Sequence, residues 1–188
     1  QGVVAKFDPE TYSDAVAFAR IGEGSLGGKA RGLAFMNSML IKHRQYDKHE
    51  GVRIMIPRSV VIATDYFDEF IALNGLQYII SQDFTDEEIL SEFVTSTVPA
   101  RLQEELKAYI RTVRSPLAVR SSSKLEDSHY QPFAGIYSTY MIPYAENEDQ
   151  MLRLLLRAVK SVYASVYFAA SRAYIQTSQN LISEEKMA

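Results

Sequence analysis

The sequence has no cysteine, which excludes disulfides, thiolate metal sites and thiol nucleophiles together. A cytoplasmic location is the easier fit to that absence. An excess of positive charge is also missing: 20 Lys and Arg stand against 23 Asp and Glu, a net charge of −3. Binding along a phosphate backbone normally needs a basic face, so nucleic acid is not expected as the main partner. The short run Lys42-His43-Arg44 then reads as a solvated helix end. No uninterrupted apolar span or secretory segment is evident. The apolar stretch near the C-terminus carries Arg153, Arg157, Lys160 and Arg172, so no membrane span is expected. Internal repeats and low-complexity tracts are lacking as well, which leaves hydrophobic periodicity as the guide to architecture.

What is present is a chain of 188 residues that is 47% hydrophobic, enough apolar surface to offset the entropy of ordering. That length suits one domain, or two small subdomains over 1–113 and 114–188 that share a core. The chain opens on Gln1 rather than Met and stops at Lys186-Met187-Ala188, where an acidic stretch gives way to what reads as the start of a strand. The expectation is a segment of a longer multidomain protein.

Along the chain, Ser13 is placed to cap a short helix running to about Arg20. A second helix, about Lys29 to His43, carries Leu33, Met36 and Leu40 on one face. Val52 to Ala63 is rich in β-branched residues and broken by Pro57, which predicts two short extended pieces. Thr64 is placed to cap a helix through Leu73. Thr85 followed by Glu88 is a capping box for a helix to about Phe93, and Pro99 suits the first turn of a helix over Ala100 to Thr112. Ser115 to Arg120 reads as a buried strand and Gly135 to Ile142 as a second one. Glu148 to about Ser178 is one long helix or two stacked ones, with an apolar stripe of Leu152, Leu155, Val159, Val162, Val166 and Ala169. Without strict βαβ alternation, the fold class is α+β.

The segment Gly22-Glu23-Gly24-Ser25-Leu26-Gly27 matches the spacing G-x-G-x-x-G of dinucleotide sites, but its context argues otherwise. Such a fingerprint should follow a strand and be answered about 20 residues later by an acid at the tip of the next strand. Here the upstream piece reads as helical, and Asp47 lies in a polar run. A P-loop fails too, since Glu23 replaces its first glycine and Ala30 its hydroxyl residue. What remains is a generic anion site: glycines that admit close approach, a helix N-terminus with free N–H groups, and the charge of Lys29. A Gly-rich helix entry with a solvent-exposed lysine is an equal alternative from the loop alone.

A second constellation favours the anion site. Arg120 directly follows Leu117-Ala118-Val119, a position from which a planar guanidinium can clamp phosphate oxygens, and Ser121 to Ser123 add hydroxyls. Glu126 and Asp127 are read as capping or bracing that loop, with metal ligation the alternative, and Tyr130 and Phe133 as packing residues. In Gly135-Ile136-Tyr137-Ser138-Thr139 the alternation of strand side chains puts Gly135 and Thr139 on one face, about 13 Å apart, where one elongated ligand would touch both.

Taken in order, Gly27-Gly28-Lys29-Ala30-Arg31-Gly32-Leu33, Ile56-Pro57-Arg58-Ser59-Val60-Val61-Ile62, Pro116 to Ser123 with Glu126-Asp127, Phe133-Ala134-Gly135 and Thr139-Tyr140 resemble the nucleotide domain of the pyruvate phosphate dikinase and phosphoenolpyruvate synthase family. Val162 to Tyr167, with Arg172-Ala173-Tyr174, resembles its closing helix. The similarity runs from about Ile21 to Tyr174, and the Ser-Ser-Ser and Gly-Ile-Tyr-Ser-Thr-Tyr versions are closer to the phosphoenolpyruvate synthases.

The resemblance implies the N-terminal portion of an ATP-grasp-like domain. It matches Lys29 and Arg120 to phosphate-binding residues, and Gly135 and Thr139 to ATP contacts. It implies ATP as ligand, magnesium held by residues beyond Ala188, and phosphoryl transfer through a histidine on another domain to pyruvate. His43, His49 and His129 do not stand in the family's phosphohistidine motif. The chain by itself is therefore expected to be inactive. Two alternatives stay open: a different acceptor, a glucan or an antibiotic, or a non-catalytic nucleotide-sensing or interaction module. For the latter, Tyr163, Tyr167, Phe168 and Tyr174 offer a partner surface or a homodimer contact, although core packing is the expected use.

Overall fold

A computed structural model describes residues 4–12, 16, 18–43, 48, 50–52, 54–123, 137–177 and 185–188. Its elements are β1 (Phe18–Ile21), α1 (Gly27–Lys42), β2 (Ser59–Ile62), α2 (Thr64–Asn74), α3 (Asp86–Thr95), α4 (Ala100–Thr112), β3 (Leu117–Arg120), β4 (Thr139–Ile142), α5 (Glu148–Ala164) and α6 (Ala169–Thr177), with a 3-10 helix over Leu76–Ser81. Helices and strands are mixed as expected. Among the described residues the strands form two pairs, β1 parallel to β2 and β3 antiparallel to β4.

The parallel pair corrects the reading of the first segment. Phe18 to Ile21 is a strand rather than the end of a helix, and Ser13 lies outside the described residues. Three of the four residues of Phe18-Ala19-Arg20-Ile21 are apolar and buried, Ala19 and Ile21 in the main core and Phe18 in the cluster under α1, and the ladder to Ser59–Ile62 satisfies their backbone groups. β1, α1 and β2 thus make a βαβ unit, and the glycine loop is its first connection. Among the described residues of Val52 to Ala63, one strand forms, Ser59–Ile62.

The helix bounds follow the end signals. Thr85 accepts the Glu88 N–H while Glu88 reaches back to Thr85, which fixes the start of α3. Pro99 precedes α4, and the Asn147 side chain accepts the Gln150 N–H to cap α5. Thr64 behaves differently from its expected role: it lies inside the first turn of α2, and its hydroxyl accepts the N–H of Ser25.

α5 packs on α3, α4, β3 and β4 and is the spine of the core. Met151, Leu155, Ala158, Val159 and Val162 recur at helical spacing and are all buried. The stripe does not run on as one helix. At Ser165–Tyr167 the chain tightens into a 3-10 turn, and Phe168 is extended. The Ser165 hydroxyl donates to Val162 O and the Ser171 hydroxyl to Ser165 O, local bonds that compete with helix continuation. Ala169, expected on the stripe, is exposed.

Tyr163 and Tyr167 are core residues, as expected: Tyr163 meets Phe67 edge-on with centroids 5.1 Å apart, and Tyr167 lies 5.6 Å from Phe93. One core runs from Phe7 through α2, α3, α4 and α5 to Met187. A smaller cluster of Phe18, Ala30 and Ile56 underlies α1. The apolar face read for α1 is only partly covered: Leu33 and Leu40 are half-buried, whereas Met36 is 48% exposed. Lys42 and His43 are exposed at its end, as a solvated terminus should be.

Candidate functional site

The site is assembled where the glycine loop meets the serine loop that follows β3. Gly27 takes a left-handed φ of 68°, which favours glycine. A Cβ there would lie 1.8 Å from the carbonyl oxygen of Ser122, so the two loops are in backbone contact. Ser122 holds both ends of that contact. Its hydroxyl donates to Leu26 O at 2.8 Å and accepts the Ala30 N–H at 3.0 Å, while Gly28 N–H donates to Ser123 O at 2.9 Å. The α1 N-terminus has no cap from its own N-cap residue, Leu26, and is capped instead across 92 residues of sequence.

Ser122 is in turn paired with the last described residues. Its N–H donates to Ala188 O and its carbonyl accepts the Ala188 N–H, at 3.0 Å and 3.1 Å, and Ser123 forms an antiparallel bridge with Met187. The extended character read for the C-terminal residues is therefore observed, and Met187 is fully buried.

This arrangement brings three of the four anticipated residues into one neighbourhood. The Lys29 ammonium donates to the Ser121 hydroxyl at 3.0 Å, immediately after Arg120. Arg120 faces Thr139 across the β3–β4 ladder, a directly opposed pair of the kind whose Cβ atoms lie about 5 Å apart. Both of those residues are exposed. β3 itself departs from the buried strand expected: Leu117 and Val119 are half-buried and Ala118 and Arg120 exposed, so it lays one face on α5 and leaves the other open. Gly135, Glu126, Asp127, Tyr130 and Phe133 lie outside the described residues, as does the start of the strand read from Gly135.

Two sequence arguments about the loop need correction. The segment before it is a strand, so the helical context held against a dinucleotide fingerprint does not exist. An acid does stand just past the next strand; it is Asp65, and Asp47 lies outside the described residues. The N–H groups expected to be free are also engaged. Glu23 N–H and Gly24 N–H donate to Asp65 Oδ2 and Oδ1 at 2.9 Å and 3.0 Å, and those of Gly28 and Ala30 go to the serine loop. The cationic side chains, rather than the helix N-terminus, are what the site presents to an anion.

Sequence reasoning missed Ser122 and Asp65 as organisers. The signals were present: adjacent glycines opposite a run of three serines for the first, and an acid after Ser59–Ile62 for the second. A cavity of about 330 Å³ between the end of α4 and the start of α5, beside Arg111, Arg114 and Tyr144, includes none of Lys29, Arg120 or Thr139. Among the described residues no group of three or more His, Cys, Asp or Glu is placed to hold a metal ion, and no helix is long and apolar enough to cross a membrane.

Comparison with known proteins identifies the family. Residues 23–188 match the family described as pyruvate phosphate dikinase, AMP/ATP-binding domain. Over 135 residues the chain is 30% identical to "Uncharacterized phosphotransferase YvkC" of Bacillus subtilis (strain 168), a match that covers 70% of this chain and 15% of that relative. The joined glycine and serine loops both fall inside the matched region, and the chain belongs to the pyruvate phosphate dikinase AMP/ATP-binding domain family.

Proposed function

We propose that this chain is the N-terminal part of the ATP-binding lobe of a phosphoenolpyruvate synthase-like dikinase, built on an ATP-grasp-like plan within a longer, cytoplasmic multidomain protein. In this reading Lys29 and Arg120 bind the phosphates, while Gly135 and Thr139 contact the nucleotide from the covering loop and strand. The observation that carries it is the hydrogen bond from Lys29 to Ser121, which joins two phosphate-type motifs 92 residues apart in sequence. Two cations beside a hydroxyl-lined loop suit a polyanion, and Arg120 opposite Thr139 gives an elongated ligand a second contact along the same ladder.

The reaction proposed for the whole protein converts ATP, pyruvate and water to AMP, phosphoenolpyruvate and phosphate through a phosphohistidine on another domain. Magnesium would neutralise the phosphate charge in that transfer, with its protein ligands supplied from outside this chain. The isolated 188-residue chain is accordingly expected to be inactive.

The test is titration of the full-length protein with ATP and magnesium, repeated with Lys29→Ala and Arg120→Ala. Each substitution removes a charge-assisted contact and is expected to weaken binding by about tenfold or more. Unchanged affinity in both variants would overturn the site assignment. Release of AMP and phosphate that depends on pyruvate identifies the acceptor, and release without pyruvate dependence assigns the lobe to another acceptor.

A further inference from the structure

The glycine loop has two halves with different partners. Gly27 and Gly28 meet the serine loop, whereas Gly22 to Ser25 meet the start of α2. The N–H groups of Glu23 and Gly24 converge on the two carboxylate oxygens of Asp65, at 2.9 Å and 3.0 Å. Next to them, Ser25 N–H donates to Thr64 Oγ1 and Thr64 N–H donates to Ser25 O, both at 2.9 Å. The fit is close. A Cβ on Gly22, whose φ is 91°, would lie 2.6 Å from Asp65 Oδ1, and one on Gly24 would lie 2.6 Å from Asp65 N.

Successive backbone N–H groups aimed at one anion form the concavity that many proteins use for phosphate. In this chain the anion in that concavity is internal. Arg20 braces the same stretch: it pairs with Glu23 at 2.7 Å and donates to Gly22 O. The connection from Ile21 to Gly27 is thus tied down along its length, because Ala63 N–H also donates to Ile21 O at 2.8 Å.

Resting on the nucleotide-site reading above, we propose that Asp65 is a positioning residue for ATP: its carboxylate fills the first half of the glycine loop, sets where α1 begins, and so aims Lys29 at the Arg120–Thr139 ladder. The carboxylate also keeps phosphate oxygens out of the Gly22–Gly24 end by like-charge repulsion, which leaves the Lys29 end as the place where they bind. A loop that lost Asp65 would still carry Lys29 and the flanking bonds at Ile21 and Ser25, but the Glu23–Gly24 stretch between them would be less constrained, and more of the lysine's ordering would fall at the moment of binding.

The test compares full-length wild type with Asp65→Ala, Asp65→Asn and Lys29→Ala by ATP–magnesium titration, with amide hydrogen exchange at Glu23 and Gly24. Asp65→Ala removes both acceptors and is expected to weaken ATP binding by about tenfold, while Asp65→Asn keeps one acceptor oxygen and loses roughly threefold. Exchange at Glu23 and Gly24 is expected to quicken in the same order, and ATP is expected to leave those two amides unchanged in wild type.

If the alanine variant does not fold, Asp65→Asn and the wild-type exchange data carry the test. Tighter ATP binding without Asp65, or protection of the Glu23 and Gly24 amides by ATP or inorganic phosphate, would make the carboxylate a mere placeholder in a phosphate site and overturn the proposal. Wild-type affinity in both Asp65 variants, beside a weakened Lys29→Ala, would overturn it alone. Wild-type affinity in Lys29→Ala would overturn the proposal, and wild-type affinity in Arg120→Ala as well would overturn the nucleotide-site reading with it.

Discussion

Gly27 and Ser122 touch backbone to backbone: a Cβ on Gly27 would fall 1.8 Å from the Ser122 carbonyl oxygen. No rotamer change relieves that overlap, because both groups are main chain, and the φ of 68° adds the ordinary left-handed strain. Gly27→Ala is expected to cost about 2 kcal/mol or more, read as a lower denaturation midpoint. Gly32, in α1, is the control, since a methyl group added there would meet nothing within 4 Å. Gly32→Ala is expected to raise stability by about 0.5–1 kcal/mol.

Ser122→Ala removes both the donor to Leu26 O and the acceptor of Ala30 N–H while leaving the backbone contact in place. The expected loss is about 1–3 kcal/mol, since the buried Ala30 N–H and the half-buried Leu26 O lose this partner. Denaturant unfolding measures it. A loss within error of zero would mean that other groups cap α1.

Lys29 and Ser121 are expected to be energetically coupled through their 3.0 Å hydrogen bond. In a double-mutant cycle of Lys29→Met and Ser121→Ala, the coupling in stability should be about 0.5–1.5 kcal/mol without ATP. Additive effects would show that the bond contributes nothing to the fold.

Acid should weaken the protein through two exposed carboxylates. The Thr85 backbone and hydroxyl bonds hold Glu88 below its ordinary value of 4.5, and the paired bonds from Arg111, at 2.7 Å and 2.8 Å, do the same for Glu148. A depressed carboxylate stabilises the folded state fully above its unfolded value, and that stability drains as pH falls through the folded one. Unfolding midpoints measured from pH 6 down to about 3 should fall, and Glu88→Gln with Glu148→Gln should flatten part of that slope.

Alkali should act through the tyrosines. Burial, with Glu105 beside it, pushes Tyr66 up to about 12, and burial pushes Tyr109 up to about 12, while Tyr163 and Tyr167 are raised further by the same cause. Folding therefore favours the neutral phenols. Their contribution is whole below the ordinary value of 10 and is lost as pH rises from there towards 12. The tyrosinate absorbance of these four residues, isolated as the difference between wild type and the matching Tyr→Phe variants, should appear together with unfolding rather than before it; their ionisation ahead of unfolding would contradict this.

Much of the helical framework was legible because its signals are local. The capping box at Thr85 and Glu88, the proline before Ala100 and the apolar spacing of α5 each act within a turn or two. The strands were harder. β1 has only four residues, and what makes it a strand is a parallel partner beginning at Ser59. Of the two readings for Glu148 to Ser178, one helix or two, the structure takes the second; the position of the break was not legible because apolar spacing continues across Ser165 while serine hydroxyls redirect the hydrogen bonds.

For the site, residue type and order in the sequence sufficed to single out Lys29, Arg120, Gly135 and Thr139, and to mark the chain's likeness to a dikinase nucleotide domain. Local chemistry proposed those residues, a lysine after glycines, a guanidinium after a strand, a glycine and a hydroxyl on the next strand, and the resemblance gave them their expected roles. Only the tertiary structure decided which backbone groups remain for a ligand. Convergence of Asp65 on Glu23 and Gly24, and of Ser122 on Leu26 and Ala30, depends on contacts between segments 41 to 96 residues apart, which no periodicity encodes. The N–H groups at the start of α1 are satisfied internally because buried backbone donors must find partners, and the nearest acceptors came from elsewhere in the fold.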